Sequence, residues 1–194
     1  MSAVIQDMRA MTTLPRAVYL DTNVVYNAYL AGPSGTAPAP HELACALFLK
    51  AVTASAACDA WTSLLAVEEA YWIPLRSELD AHRPPAVPNR NAFKASQPAA
   101  YAAAYASARS IVDPLMAFIK TCGIQVRGPR VPRPAAGRAE RAVYYLVRGL
   151  LHLYELELAD LFHIAFAKLD GTNAIATLDR GYRDVDGLEV YTVP

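Results

Sequence analysis

Residues Arg16–Leu30 read RAVYLDTNVVYNAYL, and the architecture turns on this stretch. Ala17–Leu20 is a short apolar run rich in β-formers, which reads as a buried strand. Thr22–Leu30 reads as a helix, stopped by the turn-rich AGPSGTAPAP. Between them stands Asp21, which has two readings. It can cap the helix. It can also stand at the carboxyl edge of a sheet, where a carboxylate can hold a metal ion.

Working outward, the same alternation recurs. Glu42–Thr53 is an amphipathic helix and Asp59–Ser63 a strand. Ser63 is placed to cap the next helix, Leu64 to about Leu79, in which Pro74 predicts a kink or an early end. AHRPPAVPNRNAFKASQP reads as a Pro-rich polar connection. Ala99–Thr121 is helical, with an interruption expected before Pro114. GIQVRG reads as a strand, PRVPRPAAGR as a loop, Ala139–Tyr154 and Glu157–Leu169 as helices, and Ala174–Asp179 and GLEVYTVP as strands. Strands alternating with helices predict an α/β fold with a mainly parallel sheet. Residues 1–15 read as a flexible N-terminus. Residues 16–194 read as a single domain with a helical insertion at about 82–138.

Composition narrows the class. The chain has 194 residues, 54% of them apolar and 19% charged, which is a globular balance. Lysine plus arginine and aspartate plus glutamate each number 18, so net charge selects no partner and a nucleic-acid surface must be local. No apolar run is long enough for a membrane span, and the N-terminal sequence lacks signal-peptide character. Cys45, Cys58 and Cys122 are scattered and form no CxxC pair, which points to reduced thiols and a cytoplasmic protein. There is no glycine-rich phosphate loop. His41, His82 and His152 show no ligand spacing, and His163 reads as a structural residue.

Two strands end alike, AVYLD at Asp21 and AIATLD at Asp179. In a parallel sheet both ends fall on the ligand-binding edge. TSLLAVEEAYW places Glu68 about a turn and a half into its helix, with Glu69 about 100° away. ELADLFHIAFAKLDG places Asp160 beside an apolar stripe. Each acid alone has an ordinary reading as a cap, a turn residue or a solvated charge. Together, carboxylates at one edge repel one another and raise each other's pKa values, a conflict that a divalent cation removes. Oxygen donors of this kind favour Mg²⁺ or Mn²⁺, and the matching chemistry is metal-assisted hydrolysis of a phosphodiester.

YLDTNVVYNAYL, TSLLAVEEAYW, LADLFHIAFAKLDGTNAIATLDRGY and GLEVYTVP, in this order, resemble the successive motifs of PIN-domain proteins, including VapC-type toxins. The resemblance covers about a third of the chain. It implies a three-layer α/β/α nuclease fold with a central parallel sheet, and Mg²⁺- or Mn²⁺-dependent cleavage of RNA. By motif it implies Asp21, Glu68, Asp160 and Asp179 as catalytic metal ligands, with Asn23 and Thr177 supporting them. An antitoxin is the implied partner in a toxin-antitoxin pair. RGY after Asp179 departs from the family pattern, in which another acid often precedes the aromatic residue. The rival readings are a PIN-like binding protein without cleavage and a structure-specific DNA nuclease.

Arg127, Arg130, Arg133, Arg138, Arg141 and Arg148 face one acid, Glu140, over a short span that also holds Tyr144 and Tyr145. Arg130, Arg133, Arg138 and Arg141 are candidates to contact an RNA backbone. The apolar surface of Ala99–Phe118 suits either core packing or an interface, and a homodimer is expected.

Overall fold

The computed structural model describes residues 2–32, 37–130 and 139–194, with Ala139 and Glu140 described by backbone alone. Its strands are β1 (Val4–Asp7), β2 (Ala17–Leu20), β3 (Asp59–Thr62), β4 (Gln125–Val126), β5 (Ala174–Ala176) and β6 (Glu189–Thr192). Its helices are α1 (Thr22–Leu30), α2 (Pro40–Ala54), α3 (Leu64–His82), α4 (Arg90–Ser96), α5 (Pro98–Thr121), α6 (Ala139–Leu151) and α7 (Leu158–Asp170). No helix among the described residues is long and apolar enough to cross a membrane.

The strands form one six-stranded sheet in the order β1-β6-β5-β2-β3-β4. Every pairing is parallel, so the α/β expectation holds and the sheet is wholly parallel. Strand alternation divides the core. Val18, Leu20, Ala60, Ala174, Ala176 and Tyr191 point to one face, where they meet Val24, Phe48, Leu115 and Ile119 from α1, α2 and α5. Tyr19, Trp61, Ile175 and Val190 point to the other, against Val143 and Val147 of α6 and Leu161, Ile164 and Ala165 of α7. Both faces are apolar because both are covered, as a parallel sheet requires.

From β2 the chain proceeds to β3 and β4 on one side, then returns to β5 on the other. The order of strands therefore reverses around β2. A crevice opens outside the carboxyl ends of the strands at such a point, and Asp21 directly follows β2 there.

Three features differ from the sequence reading. Residues expected to be a flexible N-terminus include β1, which pairs with β6, and Met8, which is buried and donates its backbone N–H to Thr192 O. Val4 and Ile5 are exposed on this edge strand, so no buried apolar pattern marks it, and its partner lies 185 residues on. Pro74 and Pro114 sit inside continuous helices. A helical proline costs roughly 3 kcal/mol. Here it is offset by the packing of Leu75 and Leu79 of α3 on Ala104 and Ala108 of α5. The supposed polar connection contains α4, capped by Asn89 and anchored by the fully buried Phe93.

Candidate functional site

Asp21 satisfies both of its readings. Its backbone is extended at the start of α1, and its Oδ1 accepts from Thr22 N at 2.7 Å. Its Oδ2 accepts from Thr177 Oγ1 at 2.7 Å. The residue is 3% exposed. Burial raises its pKa, against the opposing pull of His163 and of the hydrogen bonds from Thr177 and Thr22.

Thr177, just past β5, is a junction. Besides donating to Asp21, its hydroxyl accepts from Asn23 Nδ2 at 3.2 Å and from Asp179 N at 3.0 Å. Asn23 also accepts from Leu178 N at 2.9 Å through Oδ1. One donor and two acceptor sites saturate the hydroxyl. The first turn of α1 is thereby tied to the end of β5, and the sequence-read pair Asn23 and Thr177 lies against Asp21.

The glutamate that reaches this edge is Glu69. Its Oε2 accepts from Thr22 Oγ1 at 2.5 Å and from His163 Nε2 at 2.9 Å. Glu68, the position expected from sequence, is exposed and lies outside the group formed by Asp21, Glu69 and His163. The reason is the face of α3 that packs inward. Ala66 and Ala70 are buried, and Thr22 Oγ1 lies 3.3 Å from Ala66 O, so the helix turns its 66/69/70 face to α1. Glu68 is rotated off that face by about 100°. Burial works to raise the pKa of Glu69, but the hydrogen bonds from His163 and Thr22 outweigh it and the net shift is downward.

His163, read from sequence as structural, stands at the centre of the site. It is 1% exposed, and its Nε2 is 3.6 Å from Asp21 Oδ1. Its Nδ1 is 2.6 Å from Tyr19 Oη, which is in turn 2.8 Å from Ser63 Oγ. Burial disfavours its charged form, yet Glu69, Asp21 and Asp160 prevail and its pKa is raised. Its position three residues after Asp160 is the sequence signal for this placement.

Asp160, in the first turn of α7, accepts from the buried Tyr182 Oη at 3.1 Å. Its pKa is raised to about 6, first by burial and then by Asp21 and Asp179. Asp179 is exposed, and its Oδ1 accepts from Gly181 N at 2.7 Å. A Cβ at Gly181 would press on Leu156 Cδ2, so a larger residue here requires Leu156 to shift. Asp21, Asp160 and Asp179 are thus brought to one edge, with Glu69 in the place read for Glu68.

None of these four acids forms an ion pair with lysine or arginine among the described residues. Ligand atoms of Asp21, Glu69 and His163 lie within 4.8 Å of one another, a spacing that fits a cation. Asp21, Glu69 and Asp160 line a cleft of about 600 Å³ whose lining also includes Trp72, Arg76 and Arg90, while His163 lies buried behind it.

Of the arginines expected to contact nucleic acid, Arg130 and Arg141 are described, and neither lines this cleft. Arg130 is tied to the opposite edge of the sheet, where its Nη1 lies 2.8 Å from Asp59 Oδ2 and its backbone N–H donates to Asp170. Its charge is already matched by a carboxylate. Arg141 is exposed on α6, and Arg133 and Arg138 lie outside the described residues.

No family model matches the chain, and no curated protein matches it. Solved structures do. One is FitAcB from Neisseria gonorrhoeae, 18% identical, with 90% of this chain and 96% of that one covered, at a TM-score of 0.36. Another is VapBC2 from Rickettsia felis bound to a DNA fragment from their promoter, 10% identical, with 92% of this chain and 99% of that one covered. Its TM-score of 0.53 shows that this chain shares the fold over nearly its whole length.

Proposed function

We propose that this chain is a PIN-like, metal-dependent endoribonuclease, and the toxin of a toxin-antitoxin pair. One observation carries the reading: Asp21, Glu69 and Asp160 converge in a cleft at the strand-order reversal, and none of them is ion-paired with lysine or arginine among the described residues. Clustered carboxylates without such a partner are costly, and a divalent cation offsets that cost.

Asp21, Glu69 and Asp160 would hold Mg²⁺ or Mn²⁺, with Asp179 at the rim and His163 behind Glu69 as its hydrogen-bond donor. When bound, the ion lowers the pKa of water and stabilises negative charge on a phosphoryl oxygen. The chain's own residues supply the positioning. Thr177 and Thr22 fix the two oxygens of Asp21 through hydrogen bonds. Asn23 holds Thr177 in place from α1. His163 and Thr22 hold Glu69 in its ionised form, and Tyr182 fixes one oxygen of Asp160. Hydrolysis of an RNA phosphodiester is the reaction this arrangement suits.

The fold shared with VapBC2, a complex bound to DNA of its promoter, supports a protein partner of antitoxin type. The reading is tested by incubating the purified chain with labelled RNA, single-stranded DNA and duplex DNA in Mg²⁺, Mn²⁺ or EDTA. Cleavage of RNA that EDTA abolishes is expected. Cleavage of duplex DNA alone would assign the site to a DNA nuclease, and no cleavage in either metal would assign the fold to binding without hydrolysis.

A further inference from the structure

The part of the cleft formed by α3, which carries Glu69, has a composition of its own. Glu69, Trp72, Ile73 and Arg76 follow the i, i+3, i+4, i+7 spacing of one helical face, and all line the cleft. Trp72 is 44% exposed and Ile73 38%, unusual for large apolar side chains beside a polar site. Arg76 is exposed and forms no ion pair with a carboxylate among the described residues. Beyond Trp72 a second cleft of about 560 Å³ continues the surface, sharing Trp72 and Arg90 with the first and adding Arg83, Asn89, Asn91 and Tyr101.

We propose that this surface is the track for single-stranded RNA, with a base stacked on Trp72 and phosphates held by Arg76 and Arg90. The proposal rests on the nuclease reading of the acidic edge and adds where the strand lies and what holds it. An exposed indole beside one unpaired guanidinium, Arg76, and a second held by Asp80, Arg90, is a combination that suits unstacked nucleic acid, because every base has a π-face and every linkage a charge. A duplex would keep its bases stacked inward and away from Trp72.

The distances suit a strand leading to the acids. Along α3, Trp72 lies about 4.5 Å and Arg76 about 10 Å from Glu69. Arg90 is braced by Asp80, whose Oδ1 accepts from its Nε at 3.2 Å, so its fork is held at the junction of the two clefts. Asn89 uses Oδ1 to accept from Ala92 N, which leaves its amide nitrogen to donate. Together with Asn91 it offers the donors and acceptors that a ribose 2′-hydroxyl matches and a deoxyribose lacks.

Intrinsic fluorescence reads the stacking directly. The chain has two tryptophans, and Trp61 is fully buried, so quenching by an oligonucleotide reports on Trp72. The full chain in EDTA is titrated with a twelve-nucleotide RNA and with DNA of the same sequence. Saturable quenching by RNA is expected, with weaker binding of DNA. By anisotropy of labelled RNA, Trp72→Ala should weaken binding about tenfold. Arg76→Glu should weaken it and reduce the salt slope by about 0.7. Both residues are exposed, and unchanged thermal melting confirms that the variants remain folded. No quenching, or variants that bind like the parent, would overturn the proposal, and equal binding of DNA would overturn the choice of RNA. Because EDTA removes cleavage from the measurement, binding through Trp72 and Arg76 without hydrolysis in metal would sink the nuclease reading alone. Hydrolysis undiminished in both variants would sink the track alone.

Discussion

The two edges of one sheet treat their carboxylates in opposite ways. At the amino edge, Asp59 opens β3 and Asp170 closes α7 just before β5. Arg127 follows β4, lies over the ring of Trp61 at 4.1 Å, and reaches both acids, at 3.0 Å and 2.6 Å. Burial would raise the pKa of Asp170, but hydrogen bonds from Arg127, Arg130 and Thr172 hold it below the usual carboxylate range. At the carboxyl edge, Asp160 has a tyrosine and like-charged neighbours instead, and its pKa is pushed up to about 6. The first edge pairs its carboxylates with arginine. The second leaves them under tension that a bound cation would relieve. A buried acid is therefore informative about function only once its partners are known.

Exchanging one acid at each edge should separate the two roles. Asp21→Asn should reduce cleavage by more than the roughly 10–100-fold that loss of a supporting residue costs. Its stability should stay within about 1 kcal/mol of the parent, because a buried charge without lysine or arginine is removed. Asp170→Asn should leave cleavage intact and cost roughly 2 kcal/mol in urea unfolding. That is below the ~3–5 kcal/mol typical of a broken buried pair, since Arg127 keeps Asp59. Metal-dependent cleavage retained by Asp21→Asn, or lost in Asp170→Asn, would break the division between the edges.

A smaller effect distinguishes two neighbours on one helix. Glu69→Gln should lower single-turnover cleavage at least tenfold, by weakening the hold on the ion and loosening His163. Glu68→Gln should change neither cleavage nor stability by more than about 0.5 kcal/mol, as befits an exposed side chain. The reverse ranking would return the metal site to the residue read from the sequence.

This pair also shows where sequence was enough and where it was not. The strand ends announced Asp21 and Asp179 because a parallel sheet sends its carboxyl ends to one edge, whatever packs around it. Choosing between Glu68 and Glu69 needed the rotation of α3, which Ala66 and Ala70 set by allowing α1 to approach. Those two small residues, spaced i,i+4, were a readable signal. So was the run Glu69, Trp72, Ile73, Arg76 on the same face. His163 was legible as a buried residue but not as a partner of Glu69, since that contact joins α7 to α3 across 94 positions. The fate of Arg130 was not legible at all, because local charge density does not reveal that Asp59 and Asp170 lie beside it. Strand β1 escaped for a similar reason: its sheet partner among the described residues is the non-local β6.

The smallest expected effect concerns acid stability at the amino edge. Asp170 has a folded-state pKa below the usual carboxylate range, because hydrogen bonds from Arg127, Arg130 and Thr172 outweigh burial. For such a depressed carboxyl the unfolded chain binds protons first as pH falls. Its stabilising contribution is therefore complete above the unfolded pKa and is lost as pH drops through the folded one. Asp170→Asn removes only that contribution. Urea midpoints of parent and variant should differ by a constant amount from pH 7 down to about pH 5 and converge below about pH 4. Asp160 bears on this in the opposite sense: its raised pKa means that ionisation near pH 6 weakens the metal-free fold, equally in parent and variant. The difference between the two curves cancels that term and isolates Asp170. A gap that persisted unchanged at pH 3 would show that Asp170 acts through neutral hydrogen bonds, such as those to Thr172 Oγ1 and Arg130 N, and not through the charge of Arg127.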